Sequence, residues 1–224
     1  MPLCATTCAP DPAASAAFLS RAGFEPLAGH DGLMSDGAAL LQVDGARSAR
    51  TGVRVWKEAL PASVDGWLAQ RGAVRFDGGS LLVAPSGTRV EVMDGVGPES
   101  PPSGRGRVLG NYAGLSIEAV DLGRSLDFWS SLLGAEVASG SPDQGWVSLR
   151  REGLGELSLM APFICPHSFA NPSLTYFNGA ENPSILEDLG RRGVPLFERV
   201  GGDEPAVNAV LREPGGVGFF VFND

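Results

Sequence analysis

Two histidines, His30 and His167, and three cysteines, Cys4, Cys8 and Cys165, are all the imidazole and thiol groups in this chain of 224 residues. Metal sites built on two or three histidines need those ligands to converge, and this chain has almost none to offer. The cysteines form no CxxC and no paired framework, which fits a reducing compartment. None has an adjacent base to lower its pKa, so each reads as a small buried hydrophobe. Two carboxylates have positions suited to acid–base work or to holding a ligand amine: Glu91 in "TRVEVM" and Glu118 at the end of "GLSIE". Their plainer readings are a strand residue facing Arg89 or a neighbouring base, and a solvated strand end. His167 stands in the Pro-bounded loop "CPHSFANP", and His30 in the turn "AGHDGL".

Those side chains must be positioned by a framework that hydrophobic periodicity makes visible. Apolar residues make up 43% and charged residues 19%, as in ordinary globular chains. The formal charge of −9, with Lys57 the only lysine, repels phosphate backbones and argues against nucleic acid or an anionic membrane as partner. No apolar run is long enough to span a bilayer, and the start "MPLCATTCAPDPAAS" lacks the features of a signal peptide, so a cytoplasmic location is expected. The stretch "DGVGPESPPSGRGRVLGN" is rich in Gly, Pro and Ser, has no periodicity, and reads as a linker. It divides the chain into an N-terminal domain, 1–95, a linker, 96–111, and a C-terminal domain, 112–224.

The two segments repeat one another. "APDPAASAAFLSRAGF" and "AVDLGRSLDFWSSLLGAEV" match at Asp11/Asp121, Ser15/Ser125, Phe18/Phe128 and Ser20/Ser130. "WLAQRGAVRF" and "DLGRRGVPLF" match at Leu68/Leu189, Arg71/Arg192, Gly72/Gly193 and Phe76/Phe197, and the order is kept, which points to duplication. Each segment contains two units of one strand, one helix and three strands. Asp11 and Asp121 are placed to cap helices that Gly23 and Gly134 close. Leu122, Leu126, Trp129 and Leu133 recur at helical spacing, so Trp129, like Trp67, belongs to the core. In "GLSIEAV", alternation sets Leu115, Ile117 and Ala119 on one face and Gly114, Ser116 and Glu118 on the other.

Four such units in tandem, with "VDLGRSLDFWSSLLGAEV" as the strongest local match and "APSGTRVEV" as the second, resemble the vicinal oxygen chelate superfamily, which includes glyoxalase-type lyases, extradiol dioxygenases and bleomycin-resistance proteins. The resemblance implies an α+β fold: four βαβββ units forming two glyoxalase-like domains, each a cupped mixed sheet with helices on the outside. It also implies where metal ligands would stand. The first-strand position is Cys4 or Gly114, and the last-strand position is Glu91 or Phe220. The middle position falls within Gly52–Arg54 in one half and at Leu174 or Thr175 in the other. No register supplies a histidine, so no metal and no cofactor are expected. With Leu174 in the ligand register, Tyr176 and Asn178 follow on the same face.

The expected function is therefore that of a metal-independent small-molecule-binding protein of the glyoxalase/bleomycin-resistance type, sequestering an antibiotic or metabolite. Its site is expected in the second cup, where Gly114 and Ser116 leave the floor open and Glu118, Leu174, Tyr176, Asn178, Phe220 and His167 line it. The alternative is a glyoxalase-like lyase or isomerase using Glu91 or Glu118 for acid–base catalysis, or a residual metal site at Glu91. Either a monomer, through pairing of domains within the chain, or a homodimer suits this layout.

Overall fold

The computed structural model describes residues 3–45, 50–98, 107–200 and 207–223. Half of the expected linker, residues 99–106, lies outside the described residues. The first half comprises β1 (Cys4–Cys8), α1 (Pro12–Arg21), β2 (Glu25–Pro26), β3 (Leu33–Ser35), β4 (Leu40–Asp44), β5 (Gly52–Trp56), α2 (Val64–Gln70), β6 (Val74–Phe76), β7 (Gly79–Val83) and β8 (Arg89–Met93). The second comprises β9 (Tyr112–Glu118), α3 (Leu122–Leu133), β10 (Glu136–Ser141), β11 (Trp146–Arg151), β12 (Gly155–Met160), β13 (Ser173–Phe177), α4 (Asn182–Arg191), β14 (Glu198–Val200), β15 (Asn208–Arg212) and β16 (Gly218–Phe222).

Each half closes into one mixed sheet of eight strands, β2-β3-β4-β1-β5-β8-β7-β6 and β10-β11-β12-β9-β13-β16-β15-β14. The second order is the first shifted by eight strands, as duplication requires. In both, the opening strands of the two units lie antiparallel at the centre, β1 beside β5 and β9 beside β13. Each is flanked by the parallel closing strand of its own unit. The local signals act as their chemistry dictates. Asp11 accepts from the backbone N–H of Ala13 and Ala14 at 3.0 and 3.1 Å, and Asp121 from Arg124 at 2.9 Å. Gly134 ends α3 in the left-handed conformation, φ 61°.

Strand alternation separates two faces. In β5, Val53 and Val55 enter the main core while Arg54 and Trp56 face away from it; in β8, Val90 and Val92 enter while Arg89, Glu91 and Met93 face away. The helices lie outside each cup, on the core face, and from there reach the other half. The Phe18 ring of α1 and the Phe24 ring stand 5.9 and 6.0 Å from Phe219 of β16, and Trp67 of α2 meets Phe128 of α3 at 5.2 Å. One continuous hydrophobic cluster thus includes residues of both sheets and all four helices. Polar contacts reinforce it: Thr7 donates to buried Glu213 at 2.8 Å, and Thr51 to the Asn171 carbonyl at 2.7 Å. Among the described residues, no helix is long and apolar enough to cross a membrane.

Candidate functional site in the first sheet

On the open face of the first sheet, Cys4, Arg54 and Glu91 stand side by side on β1, β5 and β8. The middle position is thus Arg54, one end of the range that sequence left open. Two charged residues on strands whose other face is fully apolar must find partners, because an unpaired charge there keeps a large desolvation cost. They find each other. Arg54 Nε donates to Glu91 Oε2 at 2.8 Å, Nη2 lies 2.7 Å from the same oxygen, and Nη1 donates to Gln42 Oε1 at 2.8 Å. From the other side, Arg89 Nη1 lies 3.1 Å from Glu91 Oε1, while its Nη2 donates to Thr6 Oγ1 at 3.0 Å. Glu91 is fully buried (0% exposed) beneath the two guanidiniums. Gly52 lets β5 and β8 lie close together, since a Cβ there would run into the Arg89 carbonyl.

Next to this network the face is apolar: Cys4, Leu33, Leu40 and Trp56 form a second cluster, with Leu27 and Met93 packed against it. Burial pushes the Cys4 thiol up to about 12, against the opposing pull of the Arg54 charge, which makes it a poor nucleophile at neutral pH. Gln42 also donates Nε2 to the Asp31 carbonyl at 2.9 Å and borders a recess of about 640 Å³ between α1 and β3–β4.

The second sheet carries Gly114, Thr175 and Phe220 at the equivalent places. Here the expected floor is corrected. Gly114 sits at φ 153°, where the pairing of β9 with β13 slips by one residue, and a Cβ would strike the Glu156 carbonyl. The glycine lets a neighbouring backbone approach and opens no pocket floor. Ser116 faces the open side, 2.8 Å from Thr175 Oγ1. Phe220 (1% exposed) stacks on Phe222 at 5.1 Å and meets Phe169 at 5.0 Å. The loop bearing Phe169 is fastened over these rings: His167 Nδ1 lies 3.2 Å from Glu198 Oε1, its ring packs on Phe222 at 5.3 Å, and Ser168 N donates to Glu198 Oε2 at 2.8 Å. That Ser168 N–H, aided by His167, holds the Glu198 carboxyl below its ordinary range. Burial raises the Cys165 thiol, and the nearby Glu198 and Glu118 charges add to the rise. Glu118 is half-buried at the strand end, and its carbonyl accepts from Asn171.

Three residues expected in the second cup are elsewhere. Leu174 and Tyr176 are fully buried on the core face, because Thr175 occupies the register assigned to Leu174. Tyr176 instead ties the halves together, donating its hydroxyl to Asp36 of the first half at 2.7 Å. Asn178 is buried as a bracket: it accepts from Asn111 N at 2.8 Å and donates to the Leu109 carbonyl and Asn182 Oδ1 at 3.1 and 2.7 Å. In "SLTYF", Ser173 and Thr175 alternate with Leu174 and Tyr176, so placing Leu174 in the ligand register turned the apolar, core-facing phase toward the cup; in "GFFVF", Phe220 stands where the family resemblance put it. The signal that sequence reasoning left unused was Arg54, Arg89 and Glu91 sharing the polar phase of "GVRVW" and "RVEVM".

Neither position set fits a metal ion. The second offers glycine, one hydroxyl and phenylalanine. The first offers a neutral thiol and a carboxylate already held by two guanidiniums. A divalent ion about 4 Å from the net positive unit would be repelled by about 8 kcal/mol at an effective dielectric near 20. Among the described residues, no group of three or more His, Cys, Asp and Glu side chains is placed to hold a metal.

No protein-family model matches the chain, and a search of curated proteins finds no relative. Solved structures do match. The Mn(II)-bound glyoxalase from Novosphingobium aromaticivorans aligns with 98% of this chain and 80% of its own, at TM-score 0.59 and 14% identity. A variant 4-hydroxymandelate synthase from Streptomyces coelicolor aligns over 98% and 90%, at TM-score 0.57 and 16% identity. An extradiol ring-cleaving dioxygenase from B. fuscum aligns over 100% and 72%, at TM-score 0.57 and 14% identity. With two eight-stranded mixed sheets built from four repeated units, the chain has the fold of the vicinal oxygen chelate superfamily in its tandem form.

Proposed function

We propose that this protein binds a small molecule without a metal, in the manner of the glyoxalase/bleomycin-resistance type, and sequesters an antibiotic or metabolite. The observation that carries the proposal is Arg54: a guanidinium sits on Glu91 at 2.7–2.8 Å where the family resemblance calls for a ligand to a cation. The first cup supports the role better than the second, where the 161–172 loop lays Phe169 and His167 on Phe220 and Phe222. The lyase or isomerase reading loses Glu91 as a free base, since two arginines hold it, and rests on Glu118 alone. Elemental analysis after incubation with Mn(II), Fe(II), Zn(II) and Ni(II), followed by desalting, tests the proposal. Retention far below one ion per chain is expected; a stoichiometric ion that Glu91→Ala releases would overturn it.

A further inference from the structure

Resting on that reading, we infer that the ligand of the first cup is an organic anion, a carboxylate with an apolar body, whose head is received by Arg54. Guanidinium carries five N–H donors in a planar fork. Three contacts, two to Glu91 and one to Gln42, account for as many N–H groups of Arg54, which leaves two without a partner among the described residues. Arg54 is also the solvent-reached member of the network, its side chain 16% exposed against 1% for Glu91 and 7% for Arg89. Fork-to-carboxylate pairing through two N–H groups is the geometry in which arginine recognises anions best.

A second observation is independent of Arg54. Arg89 is buried, and its Nε has no hydrogen-bond partner among the described residues. A buried guanidinium left short of acceptors adds positive potential to the same face, where two arginines already share one carboxylate. Asp44, another carboxylate on this face, pairs across from Cys8, two positions along β4 from Gln42, and is itself engaged. The apolar body has its surface beside the charge in half-buried Leu27 and Met93, which are backed by the buried cluster of Leu33, Leu40 and Trp56. Such a face, apolar beside a few convergent polar groups, has the composition of small-molecule sites. An overall charge of −9 does not oppose this, because a short-range fork acts at contact whereas surface charges are screened.

The probes are 1-naphthoate, its neutral counterpart 1-naphthylmethanol and the cation 1-naphthylmethylamine, titrated into chelator-treated protein by calorimetry. Naphthoate is expected to bind at least about tenfold more tightly than either, the scale of one charge-assisted contact. The preference should fall in the R54Q/E91Q double variant, which removes the Arg54 fork and makes both side chains neutral and hydrogen-bonding while Arg89 stays charged, and an undiminished preference would overturn the inference. Amide shifts on the unaltered chain locate the probe whatever the variant does, and β5 and β8 should move. Equal or cation-preferring affinity would sink the inference, as would shifts confined to β13 and β16 or to the recess between α1 and β3–β4. If naphthoate binds at β5 and β8 only once Mn(II) is added, the metal-free reading fails and this one fails with it. If anion preference is absent while metal retention stays far below one ion per chain, only the inference on ligand class falls.

Discussion

Replacing Arg54 with glutamine tests the central feature of the first cup. Glu91 is fully buried, and Arg54 supplies two of its close contacts, so R54Q leaves the carboxylate with Arg89. Removing one partner of a buried ion pair costs about 3–5 kcal/mol. Arg89 remains and Arg54 is partly reached by solvent, which places R54Q near the lower end, about 3 kcal/mol. E91Q abandons two guanidiniums and should cost a similar amount, about 3 kcal/mol. The R54Q/E91Q pair removes both charges of that contact and lets two amides hydrogen-bond, but buried Arg89 still loses its carboxylate, so about 3 kcal/mol is expected. Singles summing to about 6 and a double near 3 give a coupling of about 3 kcal/mol. Urea unfolding followed by circular dichroism at pH 7 measures it, with an unchanged m-value showing that the native state is kept. Singles below about 1 kcal/mol that add without coupling would refute the seating of Arg54 on Glu91.

Gly114→Ala should destabilise by about 3 kcal/mol or more, from backbone strain and from collision with the Glu156 carbonyl. Gly114→His should likewise weaken folding and bring no tight metal binding, which thermal unfolding with and without Zn(II) checks. Cys4 should resist a thiol reagent in the native state. Its folded-state thiol is raised to about 12, so stability is intact below the ordinary value of 9.0 and falls by about 1.4 kcal/mol per pH unit above it, a slope that Cys4→Ala removes. Glu198 is depressed, so its hold on the 161–172 loop is present above the ordinary carboxylate value of 4.5 and is lost as pH falls below it. The protection of the Ser168 amide against hydrogen exchange, relative to the intrinsic rate at each pH, should fall on acidification, and Glu198→Gln should give low protection already at neutral pH.

What could be read from the residues alone followed from local rules. Asp11, Asp121 and Gly134 announce helix ends because capping is decided within a turn or two of chain. The duplication was legible in Phe18/Phe128 and Ser15/Ser125, and these pairs are buried at matching helix positions. Alternation correctly put Gly114, Ser116 and Glu118 on one face, because "GLSIEAV" has one apolar and one mixed side. In "SLTYF" the alternation of Ser173 and Thr175 with Leu174 and Tyr176 also matches the structure, but setting Leu174 in the ligand register turned the wrong phase toward the cup; alternation could not foresee that Asn178 would close a bracket with residues 109–111.

The sequence by itself determined the βαβββ repeat and the poverty of metal donors, both of which depend on residue type and short-range spacing, while the two-sheet plan was what the family resemblance implied. Only the tertiary structure decided what stands in the place of those donors. Arg54 and Glu91 are 37 residues apart and meet because β5 and β8 are hydrogen-bonded neighbours in parallel register. Gly114 changed from an open floor to a point of close contact because β12 lies alongside it. Charge pairing and close backbone approach depend on which strands become neighbours. Long-range burial sets that adjacency, and no local pattern encodes it.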